Sequence, residues 1–134
     1  MVNLKKFIWL VSYPKSGNTW VRLFLHALQN NASLESLNKI DSTNGIASSR
    51  FIADEYLGVE SSELPDKIIQ TLRPQIFVKW AENLQDDAIV KVHDAAFHNG
   101  TFTFPKEVTK NIILIVRNPF DMAASVCQSH AILY

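Results

Sequence analysis

The chain contains one cysteine, Cys127, so no internal disulfide can form and a reducing compartment is the simpler expectation. It has no excess of either charge: Lys and Arg number 13, Asp and Glu also number 13, and the formal net charge is zero. Such a balance carries no electrostatic footprint for nucleic acid or an anionic membrane, so neither is expected as a partner and any anion site must be local. No apolar stretch reaches the length of a membrane span. Lys5-Lys6 before Phe7 to Val11 imitates a signal peptide, yet the run breaks at Ser12-Tyr13-Pro14-Lys15 without a small-residue cleavage site. Internal repeats, low-complexity tracts and metal-ligand clusters are also missing. What is there is a 134-residue chain, 47% hydrophobic, sized for one globular domain over 1–134 and expected to be soluble and cytoplasmic.

The most informative stretch is Tyr13-Pro14-Lys15-Ser16-Gly17-Asn18-Thr19-Trp20. Phe7 to Val11 before it is a short run of strand formers, read as a buried strand. Trp20, Val21, Phe24, Leu25 and Leu28 after it recur at helical spacing, with Asn30-Asn31 as a stop. A strand, a glycine turn and a helix start leave several backbone N–H groups aimed at one point, which suits an oxyanion. The turn is not a Walker loop, because Lys15 precedes the only glycine, and nucleoside triphosphate chemistry loses ground accordingly.

Two further predicted strands end in chemistry-bearing residues. Ala88 to Asp94 reads as an apolar strand ending in Lys91 and His93, which point to the same face because the side-chain period of a strand is two. A histidine titrates near neutrality and can act as a general base; Asp94 either orients it or begins the next loop. His26, His98 and His130 have no comparable context. Ile112 to Val116 is the clearest strand, aliphatic throughout and read as buried on both faces. It leads into Arg117-Asn118-Pro119, where Pro119 and Asp121 suit the first turn of a helix that carries Ser125. An arginine fork with a hydroxyl makes a phosphate clamp.

Elsewhere the pattern is less specific. Leu34, Leu37 and Ile40 fit a helical turn or two, and Phe51, Ile52, Tyr56 and Leu57 a short helix. Another helix should enter at Pro65, bury Ile68, Ile69 and Leu72, and stop at Pro74, with a separate helix from Ile76 to about Asn83. Asn99-Gly100 between alternating residues predicts a loop or hairpin-like excursion. Phe97, Phe102 and Phe104 either line an acceptor site or join the core.

The three motifs together resemble the sulfotransferases that use 3′-phosphoadenosine 5′-phosphosulfate (PAPS). Tyr13 to Trp20 is similar to the family's 5′-phosphosulfate loop, with Asn18 where Thr is commoner. Lys91-Val92-His93 is similar to its Lys-Thr-His motif, and Arg117, Asn118, Pro119, Asp121 and Ser125 match its 3′-phosphate motif, with Phe120 where a basic residue is frequent. The resemblance implies an α/β, P-loop-like three-layer fold with a central parallel sheet flanked by helices, truncated at the carboxyl end. It implies cofactor contacts from Lys15, Ser16, Gly17, Asn18, Thr19, Trp20, Arg117 and Ser125, and catalysis by His93, Lys15 and Lys91 without a metal. The expected co-substrate is PAPS, the product PAP (3′-phosphoadenosine 5′-phosphate), and the partner a small-molecule acceptor with a hydroxyl or amine. Weak or absent activity of these residues alone, and homo-oligomerisation through exposed apolar surface, are further expectations. The competing readings are a P-loop nucleotide kinase and a noncatalytic nucleotide-binding or interaction fragment.

Overall fold

The computed structural model describes residues 4–29 and 46–131; the segment of Leu34, Leu37 and Ile40 lies outside them. The elements run β1 (Phe7–Ser12), α1 (Asn18–Gln29), α2 (Arg50–Leu57), α3 (Asp66–Glu82), β2 (Ala88–Val92), β3 (Phe97–His98), β4 (Thr101–Phe102), a 3-10 turn (Lys106–Val108), β5 (Thr109–Ile115) and α4 (Pro119–Ala131). The chain is therefore α/β. Its main sheet has the order β2-β1-β5, with β1 parallel to both neighbours. Parallel neighbours need long crossovers, which here contain the helices between β1 and β2 and the hairpin between β2 and β5.

The core lies on one face of this sheet. Phe7 and Trp9 project from β1 to the same side and meet Phe77 and Trp80 of α3, with the Trp9 and Phe77 rings 4.7 Å apart. Phe104 completes the cluster against Trp9, and the Trp9 indole N–H donates to Thr109 Oγ1 at 2.9 Å. Phe104 is thus core, whereas Phe97 and Phe102 pair on the exposed β3–β4 hairpin. That hairpin turns through Asn99 and Gly100, both at positive φ, as a two-residue turn between antiparallel strands requires.

Ile68, expected to be buried, is 46% exposed on α3, and two larger expectations are also corrected here. Pro74 does not stop a helix: α3 runs unbroken through it. Proline fits helical φ and forfeits one hydrogen bond, a cost of about 3 kcal/mol. Ile69, Ile76, Phe77, Trp80 and Ala81 are buried on both sides of that position, and the burial of one such side chain is worth about 1.5–3 kcal/mol. Tertiary packing therefore outweighs the local break. The second correction concerns β5, whose Ile112, Ile113 and Leu114 are exposed rather than buried on both faces. β5 and β2 are both outer strands of the sheet, but α2 and α3 pack over β1 and β2, and among the described residues β5 contributes no side chain to that core.

Phe77 is fully buried among Phe7 and Trp9. Phe77→Ala should lower the unfolding free energy by about 3–5 kcal/mol, measured as a shift in the urea midpoint at unchanged slope.

Candidate functional site at the carboxyl edge of the sheet

The parallel register brings the three motif-bearing strand ends to one edge: Val11 lies opposite Val92, and Ser12 opposite Ile115. After β1, the chain turns through Lys15 at φ 63 and Gly17 at φ 97. Ser16 N–H donates to the Tyr13 carbonyl at 3.3 Å, and the first helical bond of α1 runs from Val21 N–H to the Gly17 carbonyl at 3.1 Å. A φ of that size favours glycine, so Gly17 is what lets so sharp a turn enter a helix. The amides of Gly17, Asn18, Thr19 and Trp20 precede that first bond and have no carbonyl one turn earlier. They leave the start of α1 rich in open donors and positively polarised, with Lys15 beside it.

Asn18 holds this helix start against the sheet. Its side chain is buried, and its Nδ2 donates to the Leu10 carbonyl at 3.0 Å and to Ser12 Oγ at 3.1 Å. The amide nitrogen of the side chain is thus used internally. Ser16 is also turned inward: its buried hydroxyl sits 3.9 Å from Met122 Sδ of α4. Trp20 is 69% exposed and stacks parallel on Phe24, with ring centres 5.7 Å apart.

β2 ends at Val92, one residue before His93. The His93 Nδ1 lies 2.6 Å from the Ser12 carbonyl oxygen. A carbonyl only accepts, so Nδ1 carries the hydrogen, and in the neutral ring Nε2 keeps its lone pair. Asp94 does not orient His93. Its Oδ1 accepts from Gln70 Nε2 at 3.3 Å, and its Oδ2 faces Arg73 Nε at 3.8 Å. Burial, and after it the positive charges of Arg22 and Lys15, depress the pKa of Lys91.

β5 leads into α4 through a capped turn. Asn118 Oδ1 accepts from Phe120 N–H at 2.9 Å, and the Asn118 carbonyl accepts from Met122 N–H at 3.0 Å, with Pro119 as first helical residue. The Arg117 guanidinium donates through Nη1 to the Lys15 carbonyl at 2.9 Å. That bond joins the first and third motif loops directly.

All three loops wall one cavity of about 610 Å³, lined by Pro14, Lys15, Gly17, Asn18, Thr19, Trp20, Leu23, Lys91, His93, Arg117 and Ser125. Of the sequence-predicted site residues, Ser16 alone is absent from that wall. Among the described residues, Lys15, Lys91 and Arg117 have no carboxylate within ion-pair distance. Among the same residues, no group of three or more His, Cys, Asp or Glu could hold a metal. Sequence reasoning missed Leu23, although its spacing from Trp20 places both on one helix face. It also missed the Ser12 carbonyl, a backbone group that leaves no trace in side-chain identity.

The family model of the sulfotransferase domain matches residues 5–134. The chain belongs to the sulfotransferase family. No curated protein and no solved structure matches it. Sulfotransferase membership carries sulfuryl-transfer chemistry in general, and no described helix is long and apolar enough to cross a membrane.

Asn18 bears on this sulfotransferase's stability rather than only on its ligand. Asn18→Asp keeps the shape but cannot donate to the Leu10 carbonyl, so thermal and urea unfolding should show a loss of about 1–3 kcal/mol. Asn18→Ala should fall in the same range.

Proposed function

We propose that the chain binds PAPS through its first and third motif loops and transfers the sulfuryl group to a hydroxyl or amine acceptor, with His93 as general base. The observation that carries this reading is the shared cavity in which three uncompensated cations and the open start of α1 surround one histidine with a free Nε2. A ligand with phosphates at both ends fits that distribution of donors. The amides of Gly17 to Trp20 and the Lys15 ammonium form one anion subsite, and the Arg117 fork with Ser125 a second. The exposed Trp20 indole offers a flat face on which a purine can stack. Ser16 acts from behind, through its backbone and its packing on Met122.

The chemistry asked of the residues is modest. His93 Nε2 takes the acceptor proton as the acceptor oxygen or nitrogen bonds to sulfur. The bond from sulfur to the phosphate oxygen breaks, and Lys15 stabilises the charge left on that oxygen. Lys91 offsets charge on the sulfuryl oxygens in flight. Preorganised cations and in-line positioning account for such transfers without covalent participation by the protein. The P-loop-like strand, turn and helix supply the positioning.

A nucleotide kinase makes the opposite demand on the same cavity, and the two separate by ligand. Calorimetry should show PAP binding at least tenfold tighter than ATP, and Arg117→Ala should weaken PAP by roughly 10- to 150-fold, the worth of a charged hydrogen bond. Preference for ATP with magnesium would end the proposal. In a radiolabelled sulfuryl-transfer assay, His93→Ala and Lys15→Ala should each cost about a hundredfold or more in kcat.

The depressed pKa of Lys91 sets a pH limit. Its charge is lost below the pH at which an ordinary lysine loses it, so transfer should decline as pH rises through that lowered value. Lys91→Arg, which stays charged, should abolish the alkaline decline; a pH–rate profile identical to that of the unmodified chain would remove Lys91 from the mechanism.

A further inference from the structure

We infer that Phe24 of α1 is a positioning residue for Trp20: stacked on one face of the indole, it holds the opposite face open to the larger cavity, so that the site selects an anion carrying a flat aromatic base. The inference rests on the proposed binding of PAPS.

Trp20 and Phe24 lie four residues apart on α1, a spacing that makes them neighbours on one face of the helix. Helical side chains lean towards the amino end, which brings the Phe24 ring back over Trp20 and the indole towards the open donors at the start of α1. The two rings are parallel to within 4°, with centres 5.7 Å apart, an offset stack. Trp20 and Leu23 line the cavity and Phe24 does not. Phe24 thus backs the indole and does not itself meet a ligand.

Trp9 is fixed in another way. It is fully buried among Phe7, Phe77 and Phe104, whose rings meet it at 37° to 45°, and its indole N–H donates to Thr109. Trp20 has neither support: its side chain is largely exposed, and among the described residues its indole N–H makes no hydrogen bond. Phe24 is the one aromatic ring of the described structure stacked against it. An exposed indole without such backing moves among several rotamers and must give them up when a base stacks on it. Phe24 sets one orientation beforehand.

The cations on the cavity wall, Lys15, Lys91 and Arg117, attract any anion and do not by themselves tell a nucleotide from inorganic phosphate. A flat apolar face does, because a base stacks on it and a phosphate cannot. Apart from His93, whose ring is engaged on the Ser12 carbonyl, Trp20 is the only aromatic residue on that wall among the described residues. Selection of a nucleotide therefore depends on how this one face is presented.

Calorimetry with two probes separates positioning from support of the fold: PAP, and methyl ribofuranoside 3,5-bisphosphate, which carries both phosphates and no base. The unmodified chain should bind PAP roughly 5- to 150-fold tighter than the base-free probe, the worth of one stacked base. Phe24→Ala, which does not weaken a helix by propensity, should cost PAP roughly three- to tenfold and leave the base-free probe within about twofold. Phe24→Tyr keeps a flat ring and should match the unmodified chain. Leu28→Ala, one turn further along the same exposed stripe, should leave PAP affinity within about twofold. In a Trp20→Ala background, Phe24→Ala should have no further effect, since its action passes through the indole. Equal losses for both probes would make Phe24 a structural residue and overturn the inference, as would additive losses in the double variant. A change of oligomeric state in Phe24→Ala without a change in PAP affinity would identify a contact face instead and also overturn it. Equal affinity of the unmodified chain for the two probes, a result that needs no variant, would overturn it while leaving bisphosphate binding in place. Binding of neither probe would refute the functional reading and this inference together.

Discussion

The site depends on β1 being hydrogen-bonded to a parallel strand on either side. Parallel pairing in near-continuous register means that Ser12, Val92 and Ile115 finish at the same edge, so loops distant in sequence leave the sheet side by side. Hydrogen bonds from two side chains convert that adjacency into a fixed geometry. Asn18 ties the start of α1 down to Leu10 and Ser12, and Arg117 reaches across to the Lys15 carbonyl. Arg117 uses a backbone carbonyl of the turn, while Asn18 uses a carbonyl and a hydroxyl of β1. The positive φ of Lys15 is therefore part of the same arrangement, since it sets the direction in which its carbonyl points.

Much of this was legible in the sequence because strand ends carry their chemistry with them. A short apolar run followed by Lys15 and Gly17, another followed by His93, and a third followed by Arg117 are local patterns. Parallel pairing was the one non-local assumption needed to bring them together. The features that sequence reading missed are those decided by tertiary packing. Pro74 sits in a helix because the aromatic cluster around Phe77 holds both halves of α3 against the sheet. Aliphatic content marked β5 as a strand but could not say that it would be an edge with exposed side chains. Asp94 follows His93 in the chain yet answers to Arg73, a partner from another element. A cation spaced one turn from both Ile69 and Phe77 was a signal available in advance, because a charge on an apolar helix face must find a partner.

Charge placement explains how a protein of zero net charge builds a positively charged cavity. Asp66 pairs with Arg50, Asp87 with Lys110, and Asp94 with Arg73, all away from the lining of the larger cavity. Among the described residues that leaves Lys15, Lys91 and Arg117 without an ion-pair partner on its walls, so the local charge is positive although the net charge of the chain is zero. Such an arrangement carries a cost in the free protein: burial first, and then the charges of Arg22 and Lys15, depress the pKa of Lys91. A bound polyanion removes the repulsion that the folded chain otherwise bears, and any ligand that binds only the folded state stabilises it by mass action. Affinity and folding are thus coupled through the same cations: the feature that makes the empty cavity costly is the one that makes an anion fit it.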